Sequence, residues 1–237
     1  MTRSPAPRSP LTGGPRSGGN LAGLTGRRPA VRGLYAVTPD EENTPRLVAR
    51  VRSALAGGAS VVQYRNKRAS DSLRREQATA LRSLCTTFDA PFIINDHLDL
   101  ALEANADGLH IGAHDLTVAE ARAALGPLPL LGVSCYNELR LARAAVDAGA
   151  DYVAFGSVFS STIKPDAVHA PLALFAEALS LNVPLVGIGG VTLANLPLLV
   201  ASGAHAAAII SDLFDSSDVT LRARQLAACF QSVSPAV

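Results

Sequence analysis

The chain has 237 residues and a formal net charge of +1, with 48% hydrophobic and 5% aromatic residues and no Trp. That composition supports one sizeable aliphatic core and excludes a fibre or a wholly disordered chain; no charge-free apolar run reaches the about 18 residues a membrane helix needs, so no membrane partner is expected. The charge is uneven: residues 1–30 carry Arg3, Arg8, Arg16, Arg27 and Arg28 and no acid, so +1 less +5 leaves −4 on the other 207 residues, a mildly acidic body that argues against nucleic acid as a partner.

Residues 1–30 are rich in Pro, Gly and Ser, lack periodicity and read as a disordered extension, with a domain expected over 31–237. They are Arg-rich and acid-poor, as transit peptides are, but their Gly and Pro content spoils an amphipathic helix and no apolar h-region marks a secretory signal. The three cysteines, Cys85, Cys135 and Cys229, are far apart and form no C-x-x-C pair. They suit a reducing cytoplasm, the expected location, and Cys135 reads as a small buried thiol rather than a nucleophile.

From residue 33 short apolar runs alternate with amphipathic segments. The runs are GLYAVT (33–38), ASVVQYR (59–65), PFIIN (91–95), DGLHI (107–111), PLLGVS (129–134), DYVAFG (151–156), PLVGIG (184–189) and AAAIIS (206–211). They predict eight strands, and segments such as LVARVRSALAGGA carry the i, i+3, i+4 apolar spacing of helices. Four helical segments close alike, in ALAGGAS, LEANADG, AVDAGAD and VASGAHA, where a Gly or Asn supplies a left-handed C-cap. Eight βα units in about 200 residues predict a single (β/α)8 TIM barrel of the α/β class, with a parallel eight-stranded core. An open doubly wound sheet would carry G-x-G-x-x-G after its first strand, where this chain has VTPDEEN.

A barrel of this kind places its chemistry at the C-terminal strand ends. On the second run Gln63, Arg65 and Lys67 alternate, so a period-2 strand aims all three one way. Each charge alone could reach water, but two cations at an apolar mouth call for an anion, and an Arg fork suits phosphate oxygens. Asn95 and Asp96 end the third run and Asp115 follows the fourth. The two acids could be ion-pair partners of the cations or a Mg2+ site completed by phosphate and water oxygens, and spacing leaves both readings open. On the far side, VGIGGVT with Gly190, and Ile210 and Ser211 at the end of the eighth run, resemble the phosphate cradle that such barrels form there. Between them a loop of hydroxyls and one lysine holds Ser161, Thr162 and Lys164. The five histidines show no metal spacing, and each reads as satisfied or exposed. No Ser-His-Asp set can be nominated. The constellation points to phosphate chemistry.

QYRNK, IIND (93–96), ADGLHIGAHD (106–115), GVS (132–134), GSVFSSTIK (156–164), VGIGGVT (186–192) and IIS (209–211), in this order, resemble the motifs of the thiamine-phosphate synthase family over residues 33–215. The resemblance implies a transferase joining 4-amino-5-hydroxymethyl-2-methylpyrimidine diphosphate to 4-methyl-5-(2-hydroxyethyl)thiazole phosphate. It implies Gln63, Arg65, Lys67 and Asn95 on the pyrimidine diphosphate, Asp96 and Asp115 on Mg2+, Ser134 on the pyrimidine and Lys164 on the diphosphate. Arg65, Lys67 and Lys164 would assist departure of the diphosphate. Ser161, Thr162, Gly190 and the backbone at Ile210 and Ser211 lie where the family contacts the thiazole phosphate. The expected partners are these two small molecules; homo-oligomerisation stays open. Ala113 and His114 replace the family's usual Gln-Glu, and Ser160, Ser161, Thr162, Ile163 and Lys164 stand where Pro-Thr-x-Thr-Lys is common. A thiazole tautomerase of the same superfamily and a non-catalytic phosphate-binding barrel are the alternatives; neither needs the diphosphate and metal residues.

Overall fold

In the computed structural model, which describes residues 30–112, 116–159 and 169–231, each apolar run becomes a strand and pairs in parallel with the next. The strands are β1 (Gly33–Val37), β2 (Val61–Tyr64), β3 (Phe92–Asn95), β4 (Gly108–Ile111), β5 (Leu130–Tyr136), β6 (Tyr152–Phe155), β7 (Leu185–Ile188) and β8 (Ala206–Ile209). β8 returns to β1, with Gly33 opposite Ala206 and Tyr35 opposite Ala208, so the sheet closes in the order β1 to β8. The TIM barrel expected from the repeat is present. The described residues begin at 30, so the expected disordered extension lies almost wholly outside them.

The helices between strands are α1 (Thr44–Ala56), α2 (Asp71–Thr87), α3 (Leu98–Glu103), α4 (Val118–Leu125), α5 (Leu139–Asp147), α6 (Ala173–Ala178) and α7 (Leu196–Ala201), with α8 (Ser211–Phe214) and α9 (Val219–Gln231) after β8. Their starts follow local chemistry: Asn43 caps α1 through a 2.8 Å bond from Arg46 N, and Thr117 and Glu120 form a reciprocal capping box on α4.

Their ends repeat one device. Gly58, Asn105, Gly149 and Gly203 all have φ between 48° and 107°. The next residue, always Ala, sends its N–H back five residues, as in Ala59 to Ala54 at 3.0 Å and Ala150 to Ala145 at 2.9 Å. The left-handed C-cap expected for the four turns is present, and the backbone bond makes each a Schellman closure. A fifth occurs at the end of α2, where Asp89 takes φ 53° and Ala90 N bonds Cys85 O at 3.1 Å. The residue after each Ala then joins the sheet, for example Asp151 N to Leu131 O at 2.8 Å.

Because both faces of a barrel strand are covered, the core has two parts. Leu34, Val62, Ile94 and Leu109 pack outward against the helices, whereas Tyr35, Val61, Ile93, Leu130, Tyr152 and Val186 fill the barrel. The interior needs two large side chains in a ring of small ones: Ala206 and Ala208 flank Tyr35, and a Cβ on Gly132 would sit 2.0 Å from the Tyr152 ring. Cys85 and Cys135 belong to the outer core, and burial pushes both thiols up to about 12, so they are packing groups rather than nucleophiles.

Candidate active site at the barrel mouth

Gln63 lies inside the barrel, 5% exposed, and donates from Nε2 to the Tyr35 hydroxyl at 2.9 Å. β2 ends one residue later, so Arg65, expected inside a strand over 59–65, lies with Lys67 in the following loop. The alternation nevertheless persists. Tyr64 Oη and Asn66 Nδ2 both donate to Gln77 Oε1, at 2.9 and 3.1 Å, which fixes these two residues on the α2 side and Arg65 opposite them. Asn66 is buried and works hard: Nδ2 also donates to Glu41 O at 2.8 Å, and Oδ1 accepts from the N–H groups of Arg68 and Ala69. Thr38 Oγ1 exchanges 2.9 Å bonds with the backbone of Arg65 and ties the loop to β1.

An acid that the sequence did not nominate lies beside the loop that carries the two cations. Asp40, in the loop after β1, lies 3.7 Å from the Arg65 guanidinium and accepts the Lys67 backbone N–H at 2.9 Å. The Lys67 side chain is exposed. Asp40, Asn66 and Gln77 were not legible as site residues, since Asp40 sits in the loop after β1 and the other two act from behind the loop.

Asn95 closes β3 opposite His110 on β4, and Asp96 follows with φ 64° and its backbone N bonded to His110 O at 2.9 Å. A left-handed residue directly after a strand is unusual outside glycine, and Asp is among the few that tolerate it. His110 is 8% exposed, with Nε2 2.9 Å from Ser134 Oγ and Nδ1 3.1 Å from Tyr152 Oη. It is a satisfied histidine, as expected, but its partner is a predicted substrate-binding residue. A register irregularity falls between Ser134 and Tyr136, just before the last β5–β6 pair of Tyr136 with Phe155, and Tyr136 takes φ 53°.

Across the mouth, Gly189 and Gly190 take φ 94° and 64°. A side chain at Gly189 would meet Ser157 Oγ at 2.3 Å, so glycine is required there by close approach as well as by φ. Asn195 Nδ2 binds Gly190 O at 2.9 Å, and Asp212 accepts from Leu193 N at 3.1 Å, joining this turn to the segment of Ile210 and Ser211 after β8. Asp115, Ser161, Thr162 and Lys164 lie outside the described residues. Among the described residues no group of three or more His, Cys, Asp or Glu could hold a metal ion. The oxygen donors at the β3 end, Asp96 with Asn95 beside it, are hard ligands of the kind Mg2+ takes when substrate and water complete its shell.

The fold is a single (β/α)8 barrel of the α/β class, with polar and charged side chains gathered at the C-terminal strand ends. A family model described as thiamine monophosphate synthase matches residues 34–213. A thiamine-phosphate synthase from Methylobacillus flagellatus is 52% identical over 197 residues, covering 83% of this chain and 94% of that protein. One from Bordetella pertussis is 50% identical, covering 86% and 96%. Among solved structures, a thiamine phosphate pyrophosphorylase from Pyrococcus furiosus superposes with a TM-score of 0.76 at 32% identity, over 84% of this chain and 96% of that one. The chain belongs to the thiamine monophosphate synthase family, a family of transferases in thiamine biosynthesis. Among the described residues no helix is long and apolar enough to cross a membrane.

Proposed function

We propose that this chain makes thiamine phosphate, joining 4-amino-5-hydroxymethyl-2-methylpyrimidine diphosphate to 4-methyl-5-(2-hydroxyethyl)thiazole phosphate and releasing diphosphate. The observation that carries the reading is the convergence of Gln63, Arg65, Asn95, Asp96 and Ser134 on the ends of β2, β3 and β5, at one mouth of the barrel. Retention of Arg65, Lys67, Asn95 and Asp96 argues against a thiazole tautomerase, which does not need the diphosphate and metal residues.

In this reading Gln63 and Ser134 hold the pyrimidine, while Asn95, Arg65 and Lys67 hold its diphosphate, with Lys164 from the long loop. The bond from the pyrimidine methylene carbon to the diphosphate oxygen breaks with its electron pair on oxygen, leaving a ring-stabilised cation. Arg65, Lys67 and Lys164 offset the charge that gathers on the leaving group, in a site where fixed donors act more strongly than in water. The thiazole nitrogen then supplies the pair for the new C–N bond, so no protein nucleophile is needed. Ser161, Thr162, Gly190, Ile210 and Ser211 hold the thiazole phosphate on the other side. Asp96 and Asp115 would hold Mg2+, which screens the diphosphate oxygens and steadies the departing charge. The protein would act in the cytoplasm on these two small molecules.

Incubation with both substrates and Mg2+ tests the reading. Stoichiometric diphosphate and thiamine phosphate are expected. Release of neither would sink it, and isomerisation of a thiazole phosphate without diphosphate release would favour the tautomerase.

A further inference from the structure

Five side chains from five strands form one hydrogen-bonded line through the barrel. Gln63 Nε2 reaches Tyr35 Oη at 2.9 Å, Tyr35 Oη reaches Tyr152 Oη at 2.9 Å, Tyr152 Oη reaches His110 Nδ1 at 3.1 Å, and His110 Nε2 reaches Ser134 Oγ at 2.9 Å. All but Ser134 are buried, and Ser134 is half-buried at the mouth. The rings stack obliquely, 6.2 Å apart for Tyr35 and Tyr152 and 5.6 Å for His110 and Tyr152. The bare Gly132 leaves the room for Tyr152.

The line has a direction. An amide nitrogen carries only hydrogens, so the Tyr35 oxygen accepts from Gln63. The buried Tyr35 proton then needs an acceptor, and among the described residues Tyr152 Oη is in reach. The same argument sends the Tyr152 proton to His110 Nδ1. An accepting Nδ1 leaves the ring proton on Nε2, and Nε2–H donates to Ser134 Oγ. Burial raises the pKa of both phenols, so both keep the proton they must donate.

We infer that Tyr35, Tyr152 and His110 form a one-way hydrogen-bond relay from Gln63 to Ser134, which holds His110 as its Nε2–H tautomer and leaves the Ser134 hydroxyl to act as a donor at the mouth. His110 is then a positioning residue acting through Ser134. The consequence for substrate rests on the function proposed above: a donating Ser134 pairs with a ring nitrogen of the pyrimidine, an acceptor, and not with its exocyclic amino group.

Histidine-labelled 15N NMR of the full chain without substrate reads the tautomer directly, with His110 assigned by the signal lost in His110→Gln. An unprotonated Nδ1 with a protonated Nε2 is expected, and Tyr152→Phe should turn that single form into a mixture. An Nδ1–H or doubly protonated ring in the unmodified protein, or no change in Tyr152→Phe, would overturn the relay. Kinetics give a second readout, because Gln keeps an amide N–H near the Nε2 position and Asn does not. His110→Asn should raise the pyrimidine diphosphate KM by about tenfold, the worth of one hydrogen bond, with kcat changed far less, whereas His110→Gln stays near the unmodified value. Equal losses in both variants would also overturn it. Failure of the function itself would appear as no diphosphate release by the unmodified protein while the NMR pattern stands.

Discussion

The Asp40 carboxylate lies 3.7 Å from the Arg65 guanidinium while one of its oxygens caps the Lys67 backbone N–H at 2.9 Å, so a single acid gathers the loop that carries both cations. Both side chains of the ion pair are about a third exposed. Such a pair is worth about 0–1 kcal/mol, so the backbone cap, at about 1 kcal/mol, matters at least as much. Asp40→Ala removes both and should lower stability by about 1–2 kcal/mol, with the pyrimidine diphosphate KM up by about three- to tenfold. Asp40→Asn keeps an oxygen for the cap and should lose less than half as much. Urea unfolding and steady-state kinetics on the two variants decide the matter: equal losses would assign the role to the charge.

Asp96 offers a cleaner test of the metal reading than its backbone first suggests. At φ 64° an alanine carries a left-handed penalty of about 1–2 kcal/mol, whereas Asn tolerates that region. Asp96→Asn should therefore keep the melting temperature within a few degrees while Mg2+-dependent turnover falls by about a hundredfold or more, the usual scale for losing charge stabilisation at a reacting centre. Unchanged turnover across a Mg2+ titration would remove Asp96 from the metal site.

Much of the fold was legible because it repeats. The strands fall where short apolar runs lie, and four closing turns carry a Gly or Asn in the left-handed position. The fifth turn escaped because Asp89, a residue with weaker preference for that conformation, does the same work. The places of Asn95, Asp96 and Ser134 at strand ends, and of the two cations just past one, were legible from the positions of the apolar runs. What stayed hidden depends on contacts across the fold. Tyr35 and Tyr152 are 117 positions apart and look like ordinary strand aromatics until closure brings their hydroxyls together. Asn66, between the two cations, faces away from them, and its partners Gln77 and Glu41 sit on another helix and loop.

Glu41 links that support to pH. Its carboxylate accepts from the Arg46 guanidinium at 2.8 Å and from Asn43 N at 2.8 Å. The hydrogen bond from Arg46 holds its pKa below the ordinary glutamate value, against the opposing effect of burial. A group whose pKa is lower in the folded chain adds stability above its unfolded pKa and loses it as pH falls through the folded one. The stability difference between the unmodified protein and Glu41→Gln should thus be constant near neutrality and shrink as the solution is acidified below the ordinary glutamate range. Urea unfolding across that range reads it; a difference that grows with acid would reverse the assignment.

At the opposite end of the barrel the same kind of chemistry should matter for stability alone. Arg122 donates to Gly149 O, Gly126 O, Pro129 O and the Asp151 carboxylate, and Asp151 also accepts from Leu131 N at 2.8 Å. These contacts staple the starts of β5 and β6 to α4 and the α5 turn, far from the strand ends where chemistry occurs. Asp151→Ala leaves a partly buried guanidinium without its carboxylate and a strand N–H without its acceptor, which should cost about 2–4 kcal/mol. For a chain of this size that lowers the melting temperature by about 5–15 °C. Below the new transition kcat/KM should remain within about twofold, because none of the lost bonds touches a group that meets substrate. Calorimetry and kinetics on the same preparation separate the two ends of the barrel, and a fall in kcat/KM without a fall in melting temperature would show that the staple reaches the mouth.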